Sequence, residues 1–246
     1  MLGVIGGSGL TRLPGFVIAG ERDEPTPYGM PSAPLVSGTL GGVPMLFLAR
    51  HGSAHSIAPH EINYRANIWA MKSLGVTRIV SVATVGGIGD RFTPGALAVP
   101  HQIIDYTWGR RHTFFDEGEP VTHIDFTEPY SQEVRVAIAA AAEACGEAVL
   151  PQAVYAVTQG PRLETAAEID RLARDGADIV GMTAMPEAAL AREKGMAYGA
   201  LAVVANYAAG RGDSRNRIDL EAINAVHAQA MQRVVRVLEK LAGALR

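Results

Sequence analysis

Short apolar runs alternate with amphipathic segments along most of the chain. The apolar runs stop at glycine, proline or polar residues, which is typical of strands. The amphipathic segments repeat apolar residues every three or four positions, which is typical of helices. Strands are predicted over residues 2–5, 16–18, 33–40, 43–49, 78–83, 96–104, 153–157, 179–182 and 196–205, and helices over residues 61–74, 131–145, 165–175, 185–194 and 220–245.

The order of these elements predicts the fold class. Strand, glycine-rich or polar loop and helix recur, which indicates an α/β fold with helices on both faces of a largely parallel sheet. Near the N-terminus several strands follow one another, with Gly41-Gly42 as a hairpin turn, so the central sheet is expected to be mixed. No repeat or linker interrupts the pattern, and we expect a single domain over residues 1–246.

Composition excludes several classes of function. The chain of 246 residues carries 22 Lys and Arg against 25 Asp and Glu, and a net charge of -3 offers no basic surface for nucleic acid. The single cysteine, Cys145, excludes an intrachain disulfide and a cysteine cluster for zinc. The N-terminus lacks a basic region before its apolar residues, and the apolar runs are too short for a membrane span. We therefore expect a cytoplasmic protein that binds neither nucleic acid nor membrane.

Several predicted strands end in residues that suit an anion. Gly6-Gly7-Ser8-Gly9 follows the first strand, and Arg50-His51-Gly52 follows the strand that ends at Ala49. Backbone N–H groups in a glycine loop and the planar fork of an arginine both suit phosphate. Taken alone, the glycine loop is equally well a tight turn, and Arg50 could pair with a surface acid.

Two further strand ends carry a hydroxyl beside small residues. These are Ala83-Thr84, before Gly86-Gly87, and Gly181-Met182-Thr183. Because α/β folds collect ligands at the carboxyl ends of strands, the four strand ends together predict one shared pocket. The pocket would have no carboxylate cluster, and the seven histidines show no metal-binding spacing, so an oxyanion site is favoured over a metal site.

Taken together, these motifs resemble the trimeric purine nucleoside phosphorylases and, within them, the methylthioadenosine phosphorylase branch. The resemblance covers nearly the whole chain in order. Its main strings are Gly3–Gly9, Arg50–Gly52 with His55, Asn63–Trp69, Thr113–Phe115, His123-Ile124, Gln159–Arg162 and Gly181–Glu187.

The resemblance implies a nucleoside phosphorylase fold and cleavage of a purine nucleoside by inorganic phosphate, with phosphate as co-substrate and no further cofactor. It also implies a homotrimer or hexamer, with His123 reaching into a neighbouring subunit's site. By position, Asn206, Glu164 and His51 would act in catalysis, and Met182 would lie against the ribose. Phosphate would be held by Ser8, Arg50, His51, Ala83, Thr84 and Thr183.

The residues expected at the base predict a preference among purines. Relatives that cleave 6-aminopurines carry Asp-Tyr-Asp where this chain has Asn206-Tyr207-Ala208, and relatives that cleave 6-oxopurines carry Asn and a Glu that matches Glu164. A carboxamide both donates and accepts, and a carboxylate accepts from the N1–H of a 6-oxopurine. Hypoxanthine or guanine is therefore expected over adenine, although Glu164 is also an ordinary acid for the first turn of a helix.

The residues near the 5′ position predict the sugar. Leu220 stands where ordinary nucleoside phosphorylases carry a polar histidine, and Leu220 with Ile223 would form an apolar wall that suits a methylthio group. The expected substrate is therefore 5′-methylthioinosine. The alternative functions are a general inosine or guanosine phosphorylase and a methylthioadenosine phosphorylase.

The chain departs from the family pattern at two positions. Leu163 replaces the aromatic residue that stacks on the base, and Ala83 replaces a hydroxyl residue at the phosphate.

Overall fold

Eleven strands form one mixed sheet in the computed structural model, which describes residues 1–7, 10, 12–115, 118 and 120–245. The strands are β1 (Leu2–Gly6), β2 (Val17–Arg22), β3 (Leu35–Leu40), β4 (Val43–Ala49), β5 (Arg78–Gly87), β6 (Leu97–Ala98), β7 (Gln102–Asp105), β8 (Val149–Leu150), β9 (Val154–Val157), β10 (Ile179–Gly181) and β11 (Ala197–Tyr207). The sheet runs in the order β2-β3-β4-β1-β5-β10-β9-β7, while β11 pairs with β5 and β6, and β8 pairs with β6.

Five α-helices cover the sheet within the described part of the chain. They are α1 (Tyr64–Ser73), α2 (Gln132–Ala144), α3 (Ala166–Arg174), α4 (Ala184–Glu193) and α5 (Leu220–Ala244). The helices lie on both faces of the sheet, as two neighbouring residues of β1 show. Ile5 packs in one apolar cluster with α1 and α4, and Val4 packs in another with α2 and α5. Successive side chains of a strand point to opposite faces, so the predicted α/β fold with helices on both faces is confirmed.

The strand pairings confirm that the sheet is mixed. The pairs β1–β4, β1–β5, β5–β11, β9–β10 and β7–β9 are parallel, and the pairs β2–β3, β3–β4 and β5–β10 are antiparallel. The hairpin between β3 and β4 turns at Gly41 and Gly42, whose φ angles are 56° and 76°. Positive φ at both central residues is what a tight hairpin of this hand requires, and glycine adopts it without strain.

Several predicted strands differ from the structure. The strands predicted over residues 16–18 and 78–83 extend to Arg22 and Gly87, so Ala83 and Thr84 lie within β5. The strand predicted over residues 96–104 is divided into β6 and β7, which pair with different neighbours on either side of Pro100. Proline has no N–H for a strand ladder, so the chain changes partners there. The strand predicted to end at residue 205 continues to Tyr207, with a bulge between Val204 and Asn206. The short strand β8 was not predicted, because its two residues carry no pattern of their own.

None of the helices among the described residues is long and apolar enough to cross a membrane.

Candidate functional site

A cavity of about 450 Å³ opens where the strands carrying the predicted motifs end. Parallel pairing aligns β1 with β4 and β5, and β5 with β11, so the residues after these strands meet at one edge of the sheet. The lining residues come from these strand ends, from the segment before α3 and from the start of α5: Gly7, Arg50, His51, Pro59, Ala83, Thr84, Val85, Gly86, Pro161, Leu163, Glu164, Val180, Gly181, Met182, Thr183, Asn206, Ala208, Ile218, Leu220 and Ile223.

The arginine end of the cavity is formed by Arg50, His51 and Thr183, all of which are buried. Arg50 forms a bidentate pair with Glu187 of α4, through Nε at 2.7 Å and Nη2 at 2.9 Å. Its Nη2 also donates to the Ser81 hydroxyl at 2.6 Å, and its Nη1 donates to the Val82 carbonyl at 3.0 Å. These described partners use four of the five N–H groups, which leaves one N–H on Nη1 for a ligand.

The buried ion pair fixes the charge of Arg50. Burial by itself would lower the pKa of the guanidinium, but the Glu187 carboxylate outweighs burial and the net pKa is raised. Tyr198 donates a hydrogen bond of 2.7 Å to the same carboxylate. The sequence left open that Arg50 pairs with a surface acid. Arg50 does pair with an acid, but Glu187 is buried, and the arginine still lines the cavity.

His51 is held as a neutral ring. Burial, followed by the positive charge of Arg50, lowers the pKa of His51 to about 4. Its Nδ1 lies 2.9 Å from the carbonyl oxygen of Ile57, so Nδ1 carries the proton and donates to that oxygen. The other ring nitrogen, Nε2, is then an acceptor at neutral pH, which suits a ligand oxygen that itself carries a proton.

The remaining residues predicted for phosphate have different surroundings. Thr183 is the N-cap residue before α4 and makes no side-chain cap bond there. Thr84 lines the cavity, but its hydroxyl lies 2.9 Å from Nε2 of His227 on α5. Ala83 also lines the cavity, whereas Ser8 lies outside the described residues.

The carboxamide end of the cavity is formed by Glu164, Asn206 and Ala208. The Thr158 hydroxyl donates to Oε1 of Glu164 at 2.6 Å, which fixes the carboxylate and leaves its second oxygen for another donor. Asn206 donates from Nδ2 to the carbonyl oxygen of Tyr207 at 2.6 Å, so its amide oxygen and one N–H are left for a ligand. Ala208 is buried and places no polar atom beside them.

A bulge in β11 determines which face of the strand the Asn206 side chain points to. Val204 pairs with Val85, but Asn206 pairs with Gly86, so Ala205 is the extra residue. Without the bulge, Asn206 would pair with Gly87 and share the face of Val204. A shift of one residue moves a side chain to the other face of the strand, and here it brings the amide into the cavity.

The apolar wall of the cavity is formed by Leu220 and Ile223 in the first turn of α5. Leu220 is 63% exposed although it lines the cavity, and Leu163 beside the carboxamide end is 42% exposed. His123 is also exposed and is not one of the lining residues. This side of the cavity is therefore open to solvent in the single chain.

A glycine brings the segment before α3 close to Met182. Gly160 has φ of 61°, and a Cβ at this position would lie 2.4 Å from the sulfur of Met182. Only glycine combines this conformation with this approach. Met182, which lines the cavity, is thereby packed against the segment that leads to Glu164.

Sequence reasoning missed three residues that organise this cavity, namely Glu187, Thr158 and Arg110. Glu187 pairs with Arg50, Thr158 holds Glu164, and Arg110 bonds to the backbone of two segments that line the cavity. A charged residue within the apolar run Ala184–Leu190 was a signal for Glu187, because an unpaired buried carboxylate is costly. The other two depend on contacts that no local pattern records.

The arrangement can hold two kinds of group at once. The buried arginine end offers donors and a neutral imidazole to an oxyanion, and the carboxamide end offers both donors and acceptors to a planar polar ring. Among the described residues, no group of three or more His, Cys, Asp or Glu could hold a metal ion.

Comparison with known proteins agrees with this geometry. The model of the phosphorylase superfamily matches residues 1–242. A probable S-methyl-5′-thioinosine phosphorylase from Xanthomonas campestris pv. campestris is 52% identical over 228 residues, which are 92% of this chain and 91% of the relative. A 6-oxopurine nucleoside phosphorylase from Pyrococcus furiosus is 46% identical over 217 residues, covering 85% of this chain and 80% of the relative.

A solved structure shares the fold almost throughout. The methylthioadenosine phosphorylase from Schistosoma mansoni in complex with adenine superimposes with a TM-score of 0.95 at 31% identity, covering 99% of this chain and 91% of the other. The fold class and family predicted from the sequence are thus confirmed. With strand ends, cavity and sequence in agreement over nearly its whole length, the chain belongs to the phosphorylase superfamily, among the nucleoside phosphorylases.

Proposed function

We propose that this protein cleaves 5′-methylthioinosine with inorganic phosphate, giving hypoxanthine and 5-methylthioribose 1-phosphate. A phosphate oxygen bonds to C1′ of the sugar while the C1′–N9 bond breaks, and the electrons of that bond pass to the purine. The departing base takes up one proton at N7, and hydrogen phosphate releases one proton as its dianionic ester forms, so the reaction balances. Positive charge develops on the sugar and negative charge on the base, as in other dissociative cleavages of glycosidic bonds. The enzyme must therefore orient an anion on one side and stabilise the departing base on the other.

The pairing of Glu164 with Thr158, beside Asn206 and without an acid at Ala208, is the observation that carries the preference for a 6-oxopurine. The free oxygen of Glu164 accepts a hydrogen bond from N1–H of hypoxanthine. Asn206 donates from its remaining N–H to O6, and its amide oxygen accepts a hydrogen bond from N7–H of the departing base. Adenine would set its N1 lone pair against Glu164 and leave its 6-amino group without an acid. Each mismatch of a buried polar group costs about 1–3 kcal/mol, so discrimination of roughly a hundredfold is expected.

The arginine end supports phosphate as the nucleophile rather than water. Arg50 offers its remaining N–H and a permanent charge, and Thr183 offers a hydroxyl. His51, neutral at physiological pH, accepts through Nε2 from the protonated oxygen of the phosphate, which keeps the other oxygens anionic for attack. Ser8, Ala83 and Thr84 complete the proposed phosphate site, with Ala83 contributing through its backbone.

The apolar wall supports a methylthio group at the 5′ position. Leu220 and Ile223 offer no hydrogen-bond partner to a 5′-hydroxyl. Met182 lies against the ribose and Leu163 against the base. His123 of a neighbouring subunit would cover the open side, and the exposure of Leu220 supports this incomplete site in a single chain.

The remaining parts of the proposal concern assembly, location and domain organisation. The protein would be a homotrimer or a hexamer, would act in the cytoplasm as one domain over residues 1–246, and would need no cofactor besides its co-substrate phosphate.

Phosphorolysis of methylthioinosine, methylthioadenosine, inosine and adenosine, measured side by side, tests the proposal. Methylthioinosine should give the highest kcat/KM, and base release should require phosphate. If methylthioadenosine is cleaved best, the roles given to Asn206 and Glu164 are wrong; release without phosphate would indicate a hydrolase.

A general inosine or guanosine phosphorylase is the second candidate. The exposure of Leu220 favours it, because a wall that is 63% exposed in the single chain also admits water beside a 5′-hydroxyl. Equal kcat/KM for inosine and methylthioinosine would select this candidate.

A further inference from the structure

Arg110 is a buried arginine that lies in the segment between β7 and α2. Its residue is only 8% exposed, although a buried guanidinium usually has a carboxylate partner. In the described part of the chain, Arg110 instead bonds to oxygen atoms that carry no charge.

All five N–H groups of Arg110 are used in this way. Nε donates to Oε1 of Gln159 at 3.1 Å. Nη2 donates to the carbonyl oxygens of Thr158 at 3.2 Å and Gln159 at 2.9 Å. Nη1 donates to the carbonyl oxygens of Met182 at 2.8 Å and Met185 at 2.6 Å, with the Tyr64 hydroxyl at 3.3 Å.

These acceptors belong to the segments that form the two ends of the cavity. Thr158 holds Glu164 of the carboxamide end, and Met182 precedes Thr183 of the arginine end. Tyr64 in turn donates to the carbonyl of Pro59, which also lines the cavity. One planar guanidinium thus connects the segments that form the two ends of the cavity.

We propose that Arg110 is a positioning residue that sets the distance between the base-binding and the phosphate-binding segments. It touches neither substrate, and it acts through Glu164, Met182 and Thr183. This inference rests on the proposed function, because only a reaction between two bound groups requires that distance to be fixed.

The chemistry of the side chain explains why arginine is needed. Five donors in a planar fork reach carbonyls on two sides at once, whereas the single ammonium of lysine presents its donors from one point. An error of about 1 Å in the placement of reacting groups lowers the rate about a hundredfold. Both Arg110→Lys and Arg110→Ala should therefore lose about a hundredfold in kcat, with a smaller change in the KM for phosphate.

Chemical rescue separates positioning from folding. Guanidinium at millimolar concentration can occupy the space left in Arg110→Ala. We expect it to raise kcat of this variant at least tenfold, which is roughly half of the hundredfold loss on a logarithmic scale. Arg135→Ala is the matched control, because Arg135 also donates to backbone carbonyls, those of Pro100 and Pro151, away from the cavity. It should lower the melting temperature without changing kcat, and guanidinium should not affect its rate.

Calorimetry with hypoxanthine gives a readout that does not need turnover. If the wild-type chain releases no base in phosphate, the proposed function has failed, but weaker hypoxanthine binding by Arg110→Lys would still support positioning. Wild-type kcat and hypoxanthine affinity in Arg110→Lys would overturn the inference, as would a folded Arg110→Ala that guanidinium does not rescue. If Arg110→Ala does not fold, Arg110→Lys decides alone.

Discussion

Arg50 and His51 are buried at the arginine end of the cavity, whereas Leu220 in the apolar wall is 63% exposed. The arginine end is built from strand ends and a buried ion pair within one chain. The apolar wall belongs to the first turn of α5, whose buried residues begin only at Ala230. This difference indicates that the arginine end is enclosed by the folding of one chain, while the apolar wall is left uncovered in it.

Breaking the ion pair of the arginine end should have the largest effect. Glu187→Gln leaves the charge of Arg50 buried without a counterion, and we expect a loss of about 3–5 kcal/mol in the free energy of unfolding, measured with urea. Glu133→Gln is the control, because its pair with Arg78 is exposed and should lose less than about 1 kcal/mol. Equal losses of unfolding free energy in the two variants would contradict a special contribution of the buried Arg50–Glu187 pair to stability.

Acid should destabilise the arginine end through His51. Its pKa is about 4 in the folded chain against 6.5 when unperturbed, so the unfolded chain binds the proton first. The free energy of unfolding should then fall as the pH drops from about 6.5 to 4, by at most about 3 kcal/mol from this residue. His51→Gln should flatten that part of the stability curve in urea titrations at several pH values. An unchanged slope would contradict a neutral, buried His51.

Replacing the carboxamide end should change the preferred base. Asn206→Asp combined with Ala208→Asp supplies the two acids that a 6-aminopurine needs, and the ratio of kcat/KM for methylthioadenosine over methylthioinosine should rise roughly a hundredfold. Ala208→Ser adds a polar atom without charge and should leave most of the original preference. A ratio that the double variant does not move would show that these positions do not contact the base.

Shortening the apolar wall should have the smallest effect. Leu220→Ala should lower the preference for methylthioinosine over inosine about tenfold, because a few methyl groups in an apolar pocket contribute about that much. Its stability should change by less than about 0.5 kcal/mol, since the side chain is largely exposed. Val136→Ala on α2, which is also exposed, should alter neither quantity. Equal substrate ratios in both variants would mean that Leu220 does not contact the sugar.

The sequence predicted those parts of the molecule that depend on local patterns. Apolar runs ending at glycine located most strands, and strand ends with Arg50, His51 and Thr183 predicted one pocket, whose lining includes all three. The bulge at Ala205 was not predicted, because register depends on the partner strand β5. Arg110 was missed because its acceptors are 46 to 75 residues away in the chain. The roles of the individual site residues, the oligomeric state and the single domain stay predictions.

The bulge at Ala205 also bears on how new specificities arise in this fold. One additional residue shifts the register at the end of β11, so Asn206 no longer follows the alternation of apolar side chains over Leu201–Val204. Asn206 is only partly buried, so a substitution there can exchange hydrogen-bonding groups with little repacking, whereas Ala208 packs in an apolar cluster with Ala156 and Val180. The first residue after the bulge is therefore the natural starting point for redesigning the substrate range, because its side chain faces the cavity and not the core.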